Sequence, residues 1–130
     1  MNGMVVRTTY IGQSDYSWLG TANSKVLGFD SGELDVGLFR DVGLSPHEVI
    51  LSGTPVGRVT RGGRLGPFDP EASDGREVLL GFVRGDEHVR GRDRARCEVL
   101  VRGPVRADRL RVPVPAEAFE GTGLLAVRDV

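Results

Sequence analysis

The sequence predicts a mainly β protein, a small β-barrel or sandwich with one or two short helices and an extended N-terminal arm. Three observations indicate this class. Short runs rich in Val, Ile and Leu recur from residue 49 onward, and Gly, Pro and Asp separate them at intervals of about 8–12 residues. Nothing in the pattern predicts the long amphipathic crossover helices of a doubly wound sheet. The length of 130 residues suits a single domain.

Four runs are predicted strands: residues 49–51, 55–60, 77–83 and 95–102. The fourth shows the clearest alternation, because Cys97 and Val99 face one way while Glu98 and Arg102 face the other. Turns are expected at 52–53, 61–63 and 69–75, where Gly, Pro, Asp and Ser cluster. Residues 106–112 fit either a further strand or a tight turn. The last eight residues, GLLAVRDV, predict a closing edge strand.

Two short helices are predicted. In residues 32–41, Leu34 and Leu38 have helical spacing behind acidic residues suited to a first turn, although Gly37 weakens the helix. A second helix is expected to start at Pro115, since proline suits the first helical position.

Residues 1–30 differ from the predicted compact body at 31–130. They hold Tyr10, Tyr16 and Trp18, which are all the tyrosines and the only tryptophan, without helical or alternating periodicity. We therefore expect an extended arm. Burying a large ring is worth about 1.5–3 kcal/mol, so these side chains should pack either on this chain's own body or on a partner. The sequence leaves both alternatives open.

Charge and hydropathy exclude several partners. Seventeen basic and 18 acidic residues give a formal net charge of −1, so the whole chain has no general attraction to nucleic acid or anionic lipid. The segment 76–111 is the most basic, but acidic residues are interspersed with its arginines. No apolar run approaches the ~18–20 residues of a membrane-spanning helix, and the first ten residues lack the order of a secretory signal. We expect neither a nucleic-acid nor a membrane partner.

The sequence also lacks patterns that predict enzyme chemistry. A single cysteine, Cys97, cannot form an intrachain disulfide, and with His47 and His88 alone it makes no zinc set. There is no GxSxG turn, and the Gly-rich stretch at 57–66 lacks the Gly-Lys-Ser/Thr of a phosphate-binding loop. We therefore expect no enzyme activity, no metal and no cofactor, with both histidines on the surface and Cys97 in the core.

Three blocks of sequence resemble the bacteriophage lambda-type head decoration proteins, in particular the versions from tailed phages of actinobacteria. They are SDYSWLGTANSK at 14–25, VILSGTPVGRVTRGGRLGPFDPEASDGREVLLGFV at 49–83, and CEVLVRGPVRADRL at 97–110. The blocks cover about half of the chain in the family's order. Each motif alone is weak, so their order carries the resemblance. The charged segment 84–96 departs from the family pattern.

The resemblance implies a non-enzymatic capsid cement. Such proteins bind the outer surface of the expanded phage head as homotrimers at threefold and local threefold positions, and they stabilise it against the pressure of packaged DNA. The implied partner is the major capsid protein and the implied location is the virion surface. The implied capsid-binding residues lie in the arm: Tyr10, Ile11, Tyr16, Trp18 and Leu19. The alternatives are a small host β-barrel binding or carrier module and a small enzyme.

Overall fold

A computed structural model describes residues 14–128 of the chain. Eight strands, one short α-helix and four single-turn 3₁₀ helices follow one another along this part of the sequence. The strands are β1 (Gly28–Asp35), β2 (Val49–Ile50), β3 (Pro55–Arg58), β4 (Leu65–Pro67), β5 (Gly81–Val83), β6 (Glu87–His88), β7 (Arg94–Arg106) and β8 (Gly123–Val127). The α-helix is α1 (Val36–Asp41), and the 3₁₀ helices are Ser24–Val26, Pro46–Glu48, Ala107–Arg109 and Ala116–Phe119.

Five strands close into a barrel. β1 pairs with β4 in parallel and with β7 antiparallel, and β4, β3, β5 and β7 are joined by antiparallel pairing. The ring β1-β4-β3-β5-β7 therefore returns to β1, which removes open edges from these strands. The predicted mainly β fold is confirmed, and the body is a barrel with a small β2–β6 sheet beside it.

Strand β7 belongs to the barrel in its first half and leaves it in its second. Residues 94–102 pair with β1, whereas residues 102–106 pair in parallel with β8. At Gly103 the backbone has a φ of +132°, a conformation open to glycine and strained for other residues. This glycine allows one continuous strand to serve both structures.

Two apolar clusters stabilise the fold. The first fills the barrel with side chains from all five of its strands and from α1: Leu34, Val36, Phe39, Ile50, Val56, Leu65, Val83, Val89, Ala95, Cys97 and Val99. The second covers the outer face of β5 and β7 with side chains from the flanking segments: Trp18, Phe68, Leu79, Phe82, Leu100, Val105, Phe119 and Leu124. Consecutive residues Val99 and Leu100 are both buried because β7 separates the two clusters.

Several element boundaries differ from the predictions. The predicted helix at 32–41 is wrong in its first half, because residues up to Asp35 form β1 and only Val36–Asp41 is helical. The predicted strand at 77–83 is confined to Gly81–Val83, and the one at 95–102 extends over Arg94–Arg106. Residues 107–109 form a 3₁₀ turn. Pro115 precedes the single turn Ala116–Phe119, and Gly123–Val127 is a strand as expected.

None of the helices in residues 14–128 has the length and hydropathy needed to cross a membrane.

Candidate functional site: the groove beside the N-terminal segment

Residues 14–20, which we call the N-terminal segment, pair with the second half of β7. Leu19 forms an antiparallel bridge with Val105. The Gly20 N–H donates to the Pro104 carbonyl at 2.9 Å, and the Arg106 N–H donates to the Trp18 carbonyl at 2.7 Å. The segment is therefore attached through backbone hydrogen bonds to the edge of β7 that β8 leaves free.

Trp18 fixes this segment to the body. Its side chain is only 3% exposed and lies 5.7 Å from Phe82, measured between ring centroids. The indole Nε1–H donates to the Ser52 hydroxyl at 3.0 Å. Gly53 lies directly against the indole: a Cβ at this position would come within 2.7 Å of the ring. The Ser-Gly-Thr turn thus provides both the polar partner and the space that Trp18 requires.

A chain of hydrogen bonds extends this attachment toward Ser14. The Ser52 hydroxyl donates to the Arg84 carbonyl at 2.7 Å, and the Ser52 N–H donates to Asp86 Oδ1 at 2.8 Å. The Asp86 N–H in turn donates to the Ser14 hydroxyl at 2.9 Å. The turn at 52–54 therefore holds Trp18, and the loop at 84–86 holds the first residue of the segment, Ser14.

Asp15 adds a local turn to the same segment. The Ser17 backbone N–H donates to Asp15 Oδ1 at 2.9 Å, and Arg111 lies 3.5 Å from the other carboxylate oxygen. The Ser17 N–H, then the Ser17 hydroxyl and the Arg111 charge, lower the pKa of Asp15. This carboxylate therefore stays ionised near neutral pH and keeps the turn before Trp18 closed.

A groove of about 380 Å³ runs beside the segment. Tyr16 and Leu19 of the segment line it together with Leu27 and Phe29. Tyr16 is 47% exposed and Leu19 is half-buried, so both present apolar surface to it. Ala22, Ser24, Arg84 and the edge of Trp18 complete the lining. The groove is open, mostly apolar and suited to apolar side chains of another protein.

Arg84 is the charged group of this groove. Its guanidinium carbon lies 4.3 Å from the centroid of the Phe29 ring, and it forms an ion pair with Glu98. The cation–π contact and the ion pair hold the guanidinium over the Phe29 ring. The remaining N–H groups can donate to a carbonyl or carboxylate of a molecule that enters the groove.

The structure brings three of the five predicted site residues together. Tyr16, Trp18 and Leu19 all line the groove, whereas Tyr10 and Ile11 lie outside the described residues. Trp18 packs in this chain's own core, which is one of the two alternatives that the sequence left open. Sequence reasoning missed Phe29 and Arg84, and their placement depends on pairings of β1 and β5 with β7 that no local pattern reveals.

The single cysteine and the two histidines, which are the residues most often used in catalysis or metal binding, do not line the groove. Cys97 is buried in the barrel, and burial raises the pKa of its thiol to about 12. His47 and His88 are exposed and line one shallow depression together with Asp86. Within residues 14–128, no group of three or more His, Cys, Asp and Glu side chains is placed to hold a metal ion.

Comparison with protein-family models gives no match, and no match is found among the curated proteins.

Proposed function

We propose that this protein is a non-enzymatic decoration protein of a phage head, which binds the outer surface of the expanded capsid as trimers at threefold and local threefold positions. One structural observation supports this proposal. The three blocks of the resemblance pack on one another: Trp18 of the first lies on Ser52 and Gly53 of the second, and Gly20 of the first lies on Pro104 of the third.

This packing supports the resemblance because residues from the three separate blocks form one contact in the structure. A Cβ at Gly20 would come within 2.6 Å of Pro104 Cβ, so the glycine after Trp18-Leu19 is needed for close approach to β7. Gly53 is needed in the same way against the indole. Motifs that are individually weak evidence for the family therefore all contribute to one contact, between the N-terminal segment and the barrel.

In this proposal the groove contacts the major capsid protein. Tyr16 and Leu19 supply exposed apolar surface, and Arg84 supplies hydrogen-bond donors beside it. Trp18 has a different role from the one that the resemblance implies, since its buried ring positions Tyr16 and Leu19. Tyr10 and Ile11 lie outside the described residues and stay part of the proposed capsid-binding set.

The action of such a protein is a binding equilibrium. A ligand that binds only the expanded shell stabilises it by RT ln(1 + [L]/Kd), which is about 2.7 kcal/mol per site at a concentration one hundred times Kd. The stabilising free energies of many copies bound at neighbouring sites add up over the shell. This stabilisation needs no catalytic group, no metal and no cofactor.

Co-sedimentation with empty expanded shells, assembled from the major capsid protein encoded in the same genome, tests the proposal. The wild-type chain should sediment with the shells in saturable amounts. Tyr16→Asp should weaken binding about tenfold or more, because it places a charge in the mostly apolar lining of the groove. Val42→Asp is the matched control: Val42 is 58% exposed in the turn that follows α1, and its substitution should leave binding unchanged.

Two results would contradict the proposal. The first is wild-type protein that stays in the supernatant at every concentration. The second is equal weakening by Tyr16→Asp and Val42→Asp, which would place the contact away from the groove.

A further inference from the structure

Among residues 14–128, strand β8 has a neighbour on one side only. In the part of the chain that the structure describes, β8 pairs with β7 alone. The Leu124 N–H is bonded to the hydroxyl of Thr122, two residues before it, and Ala126 faces the same edge by the alternation of the strand. The Ala126 N–H and C=O are therefore available to a further strand, and the Leu124 N–H joins such a pairing by exchanging the Thr122 hydroxyl for a carbonyl of that strand.

The usual protection of an open edge is missing from β8. Natural proteins guard such edges with charged residues, prolines or bulges. Residues 123–127 read Gly-Leu-Leu-Ala-Val and include none of these. Leu125 is 63% exposed, and Val78, which lines the cavity next to Gly123, is 65% exposed. An uncharged strand with exposed apolar side chains beside it is a surface suited to pairing.

The charges at the two ends of β8 indicate the partner. Glu117 and Glu120 precede the strand, Arg128 follows it, and all three side chains are exposed. In a twofold antiparallel arrangement centred on Leu125, Arg128 of one copy lies opposite Thr122 of the other, two residues from Glu120. Glu120 of each copy then lies near Arg128 of the other copy, and the arrangement is self-complementary.

We propose that β8 is a self-association site, at which two copies of this chain pair their β8 edges antiparallel around a twofold axis centred on Leu125. The two Leu125 side chains pack across the axis, and the Glu120–Arg128 pairs flank it on both sides. The contact is small, so the dimer is of the weak, concentration-dependent kind. It is separate from the threefold arrangement proposed on the shell.

Sedimentation velocity of the free full-length protein over a range of concentrations tests this site without any shell. The wild-type sedimentation coefficient should rise from the monomer toward the dimer value. Glu120→Arg and Arg128→Glu should each weaken dimerisation about tenfold or more, because each homodimer then contains two like-charged pairs. Leu125→Glu should weaken it similarly by placing two carboxylates at the axis.

The decisive sample is an equimolar mixture of Glu120→Arg and Arg128→Glu proteins. A heterodimer of these two variants restores both opposite-charge pairs, so the mixture should regain the wild-type association. Glu71→Arg and Arg90→Glu make the same charge changes at exposed positions away from β8 and should dimerise like the wild type. Circular dichroism establishes that every variant is folded.

Three outcomes would overturn the proposal: a wild-type protein that stays monomeric up to ~1 mM, a mixture of folded variants that fails to regain association, or control variants that weaken association as much as the β8 variants. Because no capsid is present, this result is independent of the shell-binding test.

Discussion

Trp18 shows how a single residue joins the N-terminal segment to the barrel. Its ring lies against Phe82 and its indole N–H is satisfied by Ser52, which is 34 positions away in the sequence. The sequence identified Trp18 as a large ring that needs a buried place. It could not decide between the chain's own body and a partner, because the choice depends on this long-range contact.

Trp18→Ala should therefore destabilise the body itself by about 3–5 kcal/mol, the usual cost of removing a large buried aromatic ring. Ser52→Ala should cost about 1–3 kcal/mol, since it leaves the buried indole N–H without its acceptor. Ser31→Ala, at an exposed position on β1, is the control and should change the free energy of unfolding little. Chemical denaturation measures all three, and a Trp18→Ala protein as stable as the wild type would show that the segment is not part of the fold.

At the scale of elements, local patterns predicted the turns and most strands, while long-range pairing decided the boundaries. Residues 32–35 have the acidic and leucine spacing of a helix start, yet the whole of Gly28–Asp35 pairs with β7. Leu34 is fully buried in the barrel in this arrangement. Burial in the barrel and a full ladder of backbone hydrogen bonds outweigh a weak helical preference that Gly37 lowers further.

Gly103 lies where β7 passes from its pairing with β1 to its pairing with β8, and a substitution there tests whether the strand needs this backbone conformation. Its φ of +132° is strained for any residue with a Cβ, and a Cβ there would lie 2.8 Å from Leu27 Cδ2. Gly103→Ala should cost about 1–3 kcal/mol of stability. Gly37→Ala, in α1, is the matched control, because helical alanine is favoured by about 1 kcal/mol over glycine. Thermal unfolding should move in opposite directions for the two variants, and a neutral Gly103→Ala would mean that β7 does not need this bend.

At the scale of the whole molecule, a closed barrel carries a second apolar cluster on its outside. The barrel interior accounts for the alternation seen in β7, and the outer cluster accounts for Trp18 of the N-terminal segment and for Phe119. The sequence predicted the mainly β class and the position of Cys97 in the core. It could not predict the groove, because long-range pairings of β1 and β5 with β7 bring Phe29 and Arg84 to the same groove as Tyr16.

The proposal that the protein decorates a capsid can be tested by a reconstruction of empty expanded shells with and without the wild-type chain. The shells would be assembled from the major capsid protein encoded in the same genome and imaged after removal of unbound protein. We expect additional density on the outer surface at the threefold and local threefold positions, with three barrels around each axis and the groove of each barrel facing the shell. Shells that carry no additional density at saturating protein, or isolated barrels away from every threefold axis, would contradict the claim.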